Sequence, residues 1–249
     1  MSQMIKSLVC LVLLAGCRAS SEPPILNKTK DSDGNKMKSI SVILPASLDK
    51  RRIEFEQALT AARKMIGDFA GKNGWAPLAT ESFADSFVVF ADKGMFDEAI
   101  LKSAGLDIGA KLPKTYSAAL ENRILMAVTP EIFIENFPEG KEDDYYAKLL
   151  AHEMAHRLHI RILNGNEEAM GPVWFFEGFA IYAADQLKLK DYRMSPGEIW
   201  RTIGDPERGD YRKYGYIFRH FAQKAPLDTL ILRAGDNDFI TWLHTLGHN

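Results

Sequence analysis

Four side chains have the types and spacing to do chemistry together. His152, Glu153 and His156 form the pattern H-E-x-x-H inside "AHEMAHRLH", and Glu177 follows in "WFFEGFA". On a helix, two histidines four residues apart project side by side, about 5.4 Å apart along the axis. That spacing suits two imidazole nitrogens binding one tetrahedral zinc at about 2.0–2.1 Å. Taken singly, each histidine is more often a core residue bonded to backbone. The pair with a carboxylate downstream is what points to a metal. His152, His156 and Glu177 thus offer two nitrogens and one oxygen for a single Zn2+, leaving a fourth position for water. Glu153, next to His152, is the candidate general base.

Two helices must position these groups. Asp143 or Asp144 can cap the first, and acidic residues there complement the helix dipole. It runs to about residue 163, where Asn164-Gly165 ends it. Tyr145, Leu149, His152, His156, Ile160 and Leu163 recur at three- and four-residue steps and share a face. The second helix starts near Gly171-Pro172 and is predicted to reach about residue 189. Its inner face holds Trp174, Glu177, Ile181, Ala184 and Leu187, so Glu177 is the one charge on an apolar stripe. A buried, unpaired carboxylate costs several kcal/mol or takes up a proton. A cation shared with two neutral imidazoles removes that cost. Gly178 and Ala180 are small and are expected to let these two helices approach closely.

The preceding half carries the strand signals. Residues 40–44, 86–90 and 123–128 read as short β-branched or aromatic strands. Residues 49–70 read as a long amphipathic helix and 96–106 as a short one. The predicted class is α+β, with a small mixed sheet in residues 39–142 and a mainly helical half in 143–249, together one domain. Residues 226–249 add one or two short helices, in which His244 and His248 are expected to be unligated.

The chain has 249 residues, a net charge of −2 and two cysteines, Cys10 and Cys17. There is no global basic field, which argues against nucleic acid as a partner. With both cysteines near the N-terminus, the remainder can build neither a disulfide framework nor a thiolate metal site. Residues 1–16 combine Lys6 with an apolar run from Leu8, too short to span a bilayer that needs about 20 residues, and read as a signal peptide. Residues 17–38 are polar, contain Pro23-Pro24, and read as a flexible tether. The end of the leader, Leu14-Ala15-Gly16-Cys17, resembles the lipobox of bacterial lipoproteins. That resemblance implies acylation of Cys17 and a membrane anchor. Arg18, in place of aspartate, then favours the outer membrane, facing the periplasm or the cell surface.

H-E-x-x-H followed by a helix-borne glutamate resembles the gluzincin metallopeptidases, and W-x-x-E-G-x-A looks most like their aminopeptidase-like and "peptidase MA-like" branches. The resemblance covers roughly residues 120–225. It implies a zincin-like fold, with His152, His156 and Glu177 as zinc ligands, Glu153 as base and a peptide or protein as substrate. It also implies an oxyanion donor on a later helix. Tyr214 in "GDYRKYGYIFRHFA" is the leading candidate, with Tyr211, Tyr216 and His220 as competitors. In this family the strand before the metal helix often lies on the sheet edge and pairs with substrate backbone, which would assign that place to 123–128. Ala119-Leu120-Glu121-Asn122 resembles the G-A-M-E-N segment whose glutamate binds a free amine in zinc aminopeptidases, although the glycine is missing. Two departures stand out. Thermolysin-like enzymes place an aspartate four residues after the ligand glutamate, where this chain has Ile181, and Asp185 one turn on reads as solvent-facing. His159 is too early for a third metzincin histidine and is expected at the surface or behind the ligands. The alternatives to a peptidase are a zinc-dependent hydrolase of a non-peptide amide and a non-catalytic envelope lipoprotein that uses the fold for binding or scaffolding.

Overall fold

Four short strands, β1 (Ser41–Ile43), β2 (Ser86–Phe90), β3 (Ala118–Glu121) and β4 (Ile124–Val128), form one sheet in the order β1-β2-β4-β3. The computed structural model describes residues 40–188, 191–207 and 209–247. The expected signal peptide 1–16, Cys17, the tether 17–38 and His248 lie outside the described residues. β1 and β2 are parallel, β2 and β4 are parallel, and β3 is antiparallel to β4.

This topology corrects one expectation. The strand at 123–128 is interior, flanked by β2 and β3, and β3 is the edge strand on that side. Ala118-Ala119-Leu120 has no β-branched residue, so propensity does not mark it as a strand. It becomes one because Asn122 and Arg123 take positive φ, 48° and 63°, and close a two-residue hairpin. Arg123 is pinned there by a forked contact to Asp85 at 2.9 and 3.1 Å.

Helix α1 (Arg52–Lys72) buries Phe55, Leu59, Ala62, Ile66 and Ala70, spaced at three to four residues. It lies against the later helix α4 (Tyr145–Ile162), where the Phe55 and Tyr146 rings meet edge to face at 6.1 Å. Between them come α2 (Lys93–Ser103), capped by Asp92, and α3 (Pro130–Asn136), capped by Thr129. Both ends of α4 are tied down. The Tyr146 hydroxyl donates to the Val128 carbonyl of β4 at 2.7 Å. In the last turn, Arg161 donates to the carbonyls of Leu78, Glu81 and Ser82 at 2.7, 2.9 and 3.0 Å and covers the Phe83 ring. The metal-motif helix is thereby registered against the sheet.

The C-terminal half contains α5 (Val173–Ala183), α6 (Pro196–Ile203), α7 (Tyr211–Ala222), α8 (Leu227–Arg233) and α9 (Phe239–Leu246). The class is α+β. Helix α5 crosses α7 where a Cβ on Gly178 would lie 2.9 Å from Phe218 Cβ and a Cβ on Gly215 would lie 2.8 Å from Ile181 Cγ2. Only glycine permits that approach. Helix α5 ends at Ala183, well short of the predicted 189. Asp185 and Leu187 take positive φ, 57° and 52°, and the Leu187 N–H donates to the Glu142 carboxylate at 3.1 Å. An acceptor from another element thus replaces the next helical carbonyl, and the chain turns back. Among the described residues no helix is long and apolar enough to cross a membrane.

Candidate metal centre

The α4–α5 contact brings His152, His156 and Glu177 together in a buried cluster that could hold a metal ion. His152 Nε2 lies 3.1 Å from Glu177 Oε2 and 3.1 Å from His156 Nε2, and His156 Nε2 lies 3.8 Å from the same oxygen. Two bonds of about 2.0–2.1 Å at a tetrahedral angle set ligand atoms about 3.3–3.4 Å apart. The three observed separations bracket that value. Glu177 is fully buried and the two histidines nearly so. The donor set, two imidazole nitrogens and one carboxylate oxygen without thiolate, is chemically suited to a divalent cation.

The orientation of His152 is set by a residue that the motif does not contain. Its Nδ1 lies 2.8 Å from the amide oxygen of Gln186. Gln186 accepts there, so Nδ1 donates and Nε2 is the nitrogen that faces Glu177 and His156. Burial disfavours charge on His152, but the Glu177 carboxylate outweighs it, so its proton affinity sits above the ordinary histidine range. A metal therefore displaces a proton on binding, and acid opposes it. Nothing in the spacing marks Gln186. It reaches the site because α5 stops early, between the two left-handed residues described above.

Glu153, 8% exposed, is on α4 beside these ligands. Of the three tyrosines, Tyr211 is the one packed on the cluster, its ring centroid 6.1 Å from that of His152. Tyr214 is buried with its hydroxyl accepting from the Gly209 N–H and donating to the Glu207 carbonyl. Tyr216 packs edge-on against Tyr192, and His220 lies against Phe221, both away from the ligands.

Glu121 ends the edge strand and is 3% exposed. Burial pushes its carboxyl up to about 7; Arg157 opposes that shift, while Glu153 and Glu167 add to it. The edge strand therefore delivers a second carboxyl into the electrostatic neighbourhood of Glu153. The carbonyl of Leu120 accepts from Arg157 of α4 at 3.4 Å, so the outer side of β3 is covered by that helix.

His159 overturns its expectation. It is fully buried, neither at the surface nor behind the ligands, and neither ring nitrogen has a hydrogen-bond partner. Its ring lies 4.5 Å from the Phe179 centroid and 6.0 Å from that of Phe175. Burial alone pushes its pKa down to about 3, so it is a neutral core ring. Asp185 is exposed, as expected, and pairs with Lys188 at 2.5 Å. His244 stacks on Trp200 at 3.6 Å, far in sequence from the ligands. Comparison with protein-family models, with curated proteins and with solved structures gave no match to this chain.

Proposed function

We propose that the chain is a zinc metallopeptidase with a zincin-like, gluzincin-type fold. The observation that carries this reading is a carboxylate, Glu153, set beside a three-donor cluster already at metal spacing. His152, His156 and Glu177 would hold the zinc. Zinc held there supplies a Lewis acid that polarises the scissile carbonyl and acidifies a water molecule. Glu153 takes the proton of the attacking water and passes it to the leaving amine. Tyr211, the tyrosine against His152, donates to the developing oxyanion, a role the sequence alone gave first to Tyr214.

Glu121 favours a particular form of this activity. A buried carboxyl held up to about 7 is only partly compensated by Arg157, and the ammonium of a free peptide N-terminus would complete the compensation. An aminopeptidase is therefore the second reading, distinguished by cleavage confined to N-terminally free substrates. The lipobox-like residues 14–17 would anchor the enzyme through Cys17 in the cell envelope.

The test is zinc content by elemental analysis combined with cleavage of a broad peptide library by the wild type and by Glu153→Gln. The variant should retain the metal and lose turnover by about 10²–10⁴-fold. Zinc without any Glu153-dependent cleavage would support the non-catalytic binding or scaffolding reading. Turnover restricted to amides outside peptides would support the other hydrolase.

A further inference from the structure

A pocket of about 480 Å³ is lined in part by Lys188, Arg193, Arg212, Tyr216, Arg219 and His220. No acidic residue lines it. This is not a reflection of composition, because the chain holds 33 acidic against 31 basic residues. Two of the cations are balanced from outside the pocket, Lys188 by Asp185 and Arg212 by Asp210. Arg193 donates to the Tyr192 carbonyl.

Arg219 is the unusual member. Its side chain is half-buried, and its protein hydrogen bond goes to a neutral acceptor, the carbonyl of Gln186. Asp185 and Glu142 act on it only at longer range, and among the described residues no carboxylate lies within ion-pair distance of it. A guanidinium partly withdrawn from water and lacking a direct ion pair gains from an anion that bonds it. Its planar donors match the paired oxygens of a carboxylate or phosphate. Arg212, Tyr216, Arg219 and Gln223 follow at three- and four-residue steps along α7, so one helix face presents most of the donors.

We infer that this pocket is an oxyanion-binding site, taking a carboxylate or phosphate group between Arg219, Arg212, Arg193 and Lys188. It does not require the peptidase reading. It does share a residue with the metal centre, since Gln186 holds Arg219 through its backbone and His152 through its side chain. An occupant of the pocket therefore bears on the turn that orients a metal ligand.

The test is a titration of the metal-free full chain with inorganic phosphate at constant ionic strength, read by intrinsic fluorescence and by melting temperature. Saturable binding with a rise in melting temperature is expected, weakened at least about tenfold by Arg219→Gln. Because Arg219 also braces Gln186, the double variant Arg193→Gln/Lys188→Gln, altered only at the pocket rim, gives an independent loss. The variant His156→Gln should bind phosphate as the wild type does, which separates this pocket from the metal centre. Absence of saturable binding, or binding indifferent to both sets of pocket variants, overturns the site. Competition of phosphate by a glutamate-containing peptide, and not by its glutamine analogue, assigns the oxyanion to a peptide carboxylate. Phosphate binding without such competition assigns it to a free anion.

Discussion

Helix α4 buries three imidazoles, and the surroundings of His152 and His156 differ from those of His159 one turn on. The first two meet a carboxylate, an amide oxygen and each other at 2.8–3.8 Å. The third meets the rings of Phe175 and Phe179, and both its nitrogens go unpaired. Burial is equal or greater for His159, yet its proton affinity falls while that of His152 rises. The difference teaches that burial does not make a site. Convergent partners do, and without them a histidine is packed as a flat ring at an energetic loss.

The largest effect that can break this comparison is on turnover. Tyr211→Phe should lower the rate of peptide cleavage by about 10²–10³-fold with the metal retained, the usual loss for an oxyanion donor. Tyr214→Phe should leave the rate nearly intact and lower stability instead, because its hydroxyl bonds the backbone of Glu207 and Gly209. The reverse result, in steady-state kinetics and thermal melts, would return the role to Tyr214.

Next is the pH dependence of Glu121. Its folded-state pKa is raised, to about 7, so its contribution to stability is complete below about 4.5 and is lost as pH rises through 7. In metal-free protein, Glu121→Gln should remove ~2–3 kcal/mol of stability loss between pH 5 and pH 8, measured by denaturant unfolding. An unchanged slope would mean that the carboxyl is not isolated as described.

His159 runs the other way. Its folded-state pKa is depressed to about 3, so stability is complete above about 6.5 and falls as pH drops below that value. His159→Leu should therefore recover ~2 kcal/mol at pH 5 relative to pH 8, with metal affinity untouched. Weaker metal binding in this variant would make the two flanks of α4 a single network. The smallest effect is assigned to Gln186→Leu, which should weaken metal binding by roughly tenfold in a competition titration, since a neutral amide orients the ring less strongly than a carboxylate does.

The grouping of His152, His156 and Glu177 was legible in the sequence, because the histidines share one helical repeat and Glu177 is the one charge on the apolar stripe of the next helix. The same holds for α1, β2 and the two terminal helices, whose apolar periodicity survives packing. What could not be read depends on contacts between distant segments. β3 has weak strand propensity and exists through its hairpin and Asp85. Helix α5 stops at Ala183 because Glu142, forty-five residues upstream of Leu187, offers a carboxylate to the turning chain. Gln186 enters the site only after that stop. Helix α6 was legible in principle, since Ser195 and Glu198 form a capping box. The choice between Tyr211 and Tyr214 needed the bonds of the Tyr214 hydroxyl to Glu207 and Gly209, which no periodicity reports.

The paired glycines where α5 meets α7 have a mechanical consequence. With side chains absent at Gly178 and Gly215, the two backbones lie almost in contact, and neither rod can slide or roll without collision. Glu177 and Tyr211, borne on those rods, must travel together as one jaw. The β3 hairpin is held separately, by the Arg123–Asp85 clasp.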